Sequence, residues 1–170
     1  MHASMPLGAC LLAVFALAVG CADPDEPSPT PDGAAVAYFA QVTSANETQA
    51  SRLATRAAGY DATAGLPTYQ DTLSKDYAEY AAALAAMTPP SDVAATHQRL
   101  VDNVQEMVTD WRISSELTAT PPPDVQDRLF RGADAAYRGA LVGCRELAWA
   151  AAAHSIDADL MCEEVFGGKK

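Results

Sequence analysis

TYQDTLSKDYAEYAAALAAMT, residues 68–88, runs without interruption between Pro67 and the pair Pro89-Pro90. Its bulky apolar positions, Tyr69, Leu73, Tyr77, Tyr80, Leu84 and Met87, recur every three or four residues. That spacing lines one face of a helix in a heptad-like seam. The next stretch repeats the pattern with Val93, His97, Leu100, Val104, Met107 and Trp111. Ser91 stands where a side-chain oxygen caps a helix start, and Asp92 falls where the first turn favours a negative charge.

Proline sets the outer limits. Between the proline-rich segment that ends at Pro31 and the C-terminus, proline occurs only at positions 67, 89, 90, 121, 122 and 123. An interior proline costs a helix about 3 kcal/mol, so these sites mark boundaries and leave stretches 32–66, 68–88, 91–120 and 124–170. In the first, Ala35, Phe39, Val42, Leu53, Ala57 and Tyr60 keep helical spacing, while the polar Asn46 and Gln49 occupy the middle of the stripe. In the last, Asp124 stands near the start and Phe130, Ala133, Tyr137, Leu141, Cys144 and Ala148 follow the same period. No strand-like alternation competes. The expectation is an all-α fold, a four-helix up-down bundle over residues 34–170 with a short C-terminal segment.

Composition agrees. Of 170 residues 36 are alanine, and aromatics make up 7%. Alanine favours helix and the scarcity of aromatic and β-branched residues disfavours sheet. With 22 acidic against 11 basic side chains the net charge is −11, which argues against neutralising phosphates and leaves nucleic acid a poor partner. Gly132, Ala136 and Ala140, with Ala135, Gly139 and Gly143 beside them, set small residues four apart on the fourth stretch. Such a flat surface admits a close neighbour, for which Tyr77, Tyr80 and Trp111 are the candidates.

The N-terminus reads as an address. Pro6 to Gly20 is an uncharged, largely apolar run, too short for a membrane span of about 20 residues and suited to the core of an export signal. Small residues Ala18 and Gly20 precede Cys21. Leu17-Ala18-Val19-Gly20-Cys21 resembles the lipobox of bacterial lipoproteins. That resemblance implies a cleaved signal peptide, residues 1–20, and Cys21 as the acylated first residue of the mature chain. Acyl chains contribute about 0.8 kcal/mol per buried CH₂, enough together to anchor a protein without a spanning helix. The expected partner is then a membrane of the cell envelope, reached through lipid, with the domain facing the periplasm or the exterior.

Residues 21–33 supply the lipidated cysteine and a linker. Ala22 to Gly33 holds four prolines and four acids and no large apolar side chain, so it is expected to be an extended, disordered stalk of roughly 35 Å. Beyond the leader the cysteines are Cys21, Cys144 and Cys162. With Cys21 acylated an even pair remains, and an oxidising compartment favours a Cys144–Cys162 bridge if the chain turns back near His154-Ser155.

Candidate chemistry is thin. His97 on the third stripe is a candidate ligand for a metal or haem, although a core histidine is the simpler reading. His154 with Asp157, Asp159, Glu163 and Glu164 forms an acidic cluster weakly suited to a cation. No nucleophile elbow, zinc-binding helix motif or phosphate loop is present, so no catalytic residue is assigned and no cofactor is expected. Asn46-Glu47-Thr48 matches a glycosylation sequon by chance. The turn Met87-Thr88-Pro89-Pro90-Ser91-Asp92 followed by His97 is similar to a loose pattern in small helical exported proteins of high-GC bacteria. The functional expectation is a non-enzymatic binding or scaffolding domain that meets an envelope protein partner. The alternative is a bundle that binds a small molecule, haem or metal.

Overall fold

The computed structural model describes residues 32–59, 65–117 and 122–167. The export signal, Cys21 and the stalk up to residue 31 lie outside the described residues, as do Tyr60 and the Phe130 side chain. Among the described residues the fold is all-α, with helices α1 (Gly33–Ala58), α2 (Leu66–Ala85), α3 (Ala94–Glu116), α4 (Pro123–Ala153) and α5 (Cys162–Phe166).

Each start has a local cause. Asp32 caps α1 by accepting from the Ala34 N–H at 3.2 Å. Pro67 and Pro123 occupy the first turns of α2 and α4, where a missing N–H leaves no bond unmade. Gly65 precedes α2 at φ 82°, a conformation that a side chain disfavours. Ser91 does not cap α3: residues 91–93 form a turn closed by the Val93 N–H on the Pro90 carbonyl at 3.1 Å, and α3 begins after it. α4 ends at the anticipated reversal. Ser155 at φ 56° puts its N–H on Ala152 O and the Ile156 N–H on Ala151 O, both at 2.9 Å, the paired bonds of a Schellman closure.

Contacts between successive helices run in opposite order along the chain, so neighbours are antiparallel. Asn46, Arg52 and Arg56 of α1 meet Tyr80, Glu79 and Asp76 of α2. Ser74 Oγ of α2 donates to Val108 O of α3 at 3.1 Å. Arg99 of α3 pairs with Glu146 of α4 at 2.5 Å, while Asp110 faces Gly132. The α2–α3 and α3–α4 interfaces are the most extensive.

The seams of α2 and α3 are buried as their spacing predicts, at Leu73, Tyr77, Tyr80 and Leu84 on α2 and at His97, Leu100, Val104 and Met107 on α3. The α4 line differs. Ala136, Ala140, Cys144, Leu147 and Ala151 are the buried positions, and Ala133, Tyr137, Leu141 and Ala148 sit at its flank. The small residues cause the shift. α3 rather than an aromatic ring fills the flat surface: a methyl group at Gly143 would stand 3.4 Å from Leu100 Cβ, and one at Gly139 would meet Asn103. Backbones this close leave no room for the larger flank residues.

The C-terminal segment gives the molecule its shape. Cys144 and Cys162 are joined, with Cα atoms 5.7 Å apart across a separation of 18 residues. α5 therefore packs on α4, as expected, and also on α1. Asn46 of α1 donates to Leu160 O at 2.6 Å, and the rings of Tyr80 and Phe166 lie 6.1 Å apart. Leu160, Val165 and Phe166 are buried. The segment thus enters between α1 and α4 and holds α1 away from α4.

Candidate functional site

That separation opens a groove of about 850 Å³. Leu53 and Ala54 of α1 form one wall, Tyr69 and Leu73 of α2 the next, with Trp111 of α3 and Tyr137 of α4 behind them. Met161 and α5 close the remaining side. The spacing predicts Leu53 and Ala57 as core. Instead Leu53 is only partly buried and Ala57 is exposed on the groove, because α5 takes up the packing distance.

The back of the groove is rigid. Tyr77 and Tyr137 hydroxyls lie 3.0 Å apart and both reach the Val165 carbonyl, at 3.2 and 3.3 Å. Burial pushes both phenols above the ordinary tyrosine range, Tyr77 the further of the two, so they stay protonated and act as donors. The Trp111 indole N–H is buried and has no hydrogen-bond partner among the described residues. Glu47, Glu163 and Glu164 stand among the lining residues, and no described lining residue is basic. Arg145 binds Glu163 through Nε at 2.9 Å, whereas Glu47 and Glu164 make no ion pair among the described residues.

The histidines do not form a metal centre with their predicted companions. His97 is 4% exposed, and burial holds its imidazole below the ordinary range. The Leu84 carbonyl offsets part of that effect, and Nδ1 lies in hydrogen-bonding contact with Tyr38 Oη at 3.0 Å. The Tyr38 and His97 rings also meet edge-on at 5.6 Å. His154 Nε2 lies 2.8 Å from Asp92 Oδ2, and that bond holds the Asp92 carboxylate below its usual range. Asp157 is exposed, and Asp159 Oδ1 accepts from the Met161 N–H at 2.9 Å. Among the described residues no three metal-ligating side chains come together.

Other features were not anticipated. Asn46 is wholly buried, so the sequon cannot present it to solvent, and its carbonyl accepts from Tyr80 Oη at 2.5 Å. Gln49, one turn on and 1% exposed, has neither amide atom paired among the described residues. On the outer face of α4, Trp149 is 72% and Val142 52% exposed, two turns apart. A helical stripe records an aromatic position but not whether its neighbour across the interface is a helix or an open groove, so Tyr69 and Trp111 read as core. No described helix is long and apolar enough to cross a membrane. No family model, curated protein or solved structure matches the chain.

Proposed function

We propose that the chain is a lipid-anchored protein of the bacterial cell envelope whose helical domain retains a ligand and does not transform it. The groove carries this reading. It is concave, its volume falls within the range of about 300–1,000 Å³ typical of small-molecule sites, and aromatic and aliphatic side chains dominate its walls. The lipobox-like Leu17-Ala18-Val19-Gly20-Cys21 and the proline-rich stalk support the anchor and the envelope location.

Titration with the uncharged fluorophore N-phenyl-1-naphthylamine tests the binding role. Saturable one-to-one binding is expected, weakened at least about tenfold by Ala54→Trp, which fills the groove from an exposed position. Absence of saturation, or indifference to that substitution, overturns it. Cys21→Ala tests the anchor: the variant should leave the membrane fraction on salt washing, and its retention there would contradict lipidation.

A second reading, scaffolding of an envelope protein partner, is favoured by Trp149 and Val142 on α4. Exposed tryptophan is the residue type most enriched among interface anchors. Crosslinking in native envelopes that is lost in Trp149→Ala would support it.

A further inference from the structure

We infer that the groove selects a hydrophobic cation, an amine or quaternary ammonium carried on an apolar body. The inference rests on the binding role proposed above and adds the sign of the ligand's charge.

Three observations agree on that sign. The first is the aromatic wall. Tyr69, Trp111 and Tyr137 line the groove with Tyr77 buried behind them, and the faces of such rings attract a cation, tryptophan most strongly. The second is the rim. The charged residues identified along it are glutamates, of which Glu163 is engaged by Arg145 while Glu47 and Glu164 keep their charge uncompensated by any described ion pair. A carboxylate or phosphate in this groove would face like charge from both. The third is the whole molecule, whose net charge of −11 concentrates cations near its surface. The apolar body is required by Leu53, Leu73 and Met161, which offer a ligand no hydrogen bond and gain only by losing water.

The full chain with its disulfide intact is titrated calorimetrically with decyltrimethylammonium, decanol and decanoate, each below its micelle concentration. These probes share a tail and differ in head-group charge. Decyltrimethylammonium is expected to bind about tenfold more tightly than decanoate, with decanol between. Raised salt should narrow the difference. The double variant Glu47→Gln, Glu164→Gln, altered at two exposed side chains, should reduce it to about threefold or less. Equal or tighter binding of decanoate overturns the charge preference while leaving the binding role intact, and an undiminished preference in the double variant overturns the part assigned to the rim. If none of the three probes binds in a manner sensitive to Ala54→Trp, the binding role itself fails.

Discussion

Asn46 and Gln49 lie three residues apart on the buried face of α1 and carry the same functional group, yet their positions are energetically opposite. Asn46 gives its N–H to Leu160 O and takes the Tyr80 hydroxyl proton. Replacing it with leucine strands both partners in the core, and Asn46→Leu is expected to lower the unfolding free energy by about 2 kcal/mol. Gln49 has no bond to lose. Gln49→Met keeps its length and removes an unpaired buried amide, so stability should rise by about 1 kcal/mol. Urea denaturation of both variants checks the pair. His97 supplies a pH dependence. Its folded pKa lies below the unfolded value, so the unfolded chain takes up the proton first and stability falls as pH drops through about 6.5. The loss continues until the folded pKa is reached. Between pH 7.5 and 5.5 the wild type should therefore lose more stability than His97→Gln, and equal losses would show that the buried ring does not titrate as described. The stripe of α3 placed His97 in the core from sequence alone. Its phenol partner could not be read, because Tyr38 lies 59 residues away and outside the first stretch's stripe.

At the scale of the element, spacing and proline between them made α2 and α3 legible, since both present large side chains at regular intervals. α4 was legible as a helix but its buried line was misplaced. Hydrophobic periodicity weights large residues, whereas this interface is built from alanine and glycine, which pack by letting backbones approach. Gly143 is the critical point, with its missing side chain directly over Leu100 of α3. Gly143→Leu should force the helices apart and cost about 2 kcal/mol, measurable as a lowered Tm. The turn after α4 was readable as a reversal, but not as one that places Ser155 in the left-handed region.

The whole molecule depends on the short segment between α1 and α4. Its cysteine pair was legible by counting, yet its second contact, on α1, was not, and the groove follows from that contact. Closing a loop of this size stabilises by about 3 kcal/mol, so reduction or Cys162→Ala should lower the unfolding free energy by about that amount. Probe binding in the groove should weaken with it, because Met161, Glu163 and Glu164 are held in place by the same bridge. A fluorescence titration under reducing conditions measures both effects together.

α1 also fixes a polarity. It begins at Gly33, where the linker enters, beside Tyr38, His97 and His154, and it reaches the groove at Ala57. At 1.5 Å per residue the lining residues Glu47 to Ala57 stand roughly 21–36 Å along α1 from Gly33. The groove therefore lies towards the end of α1 opposite Gly33. Under the anchoring proposed above, a ligand would then reach the groove from the aqueous phase rather than from the lipids at the base of the linker.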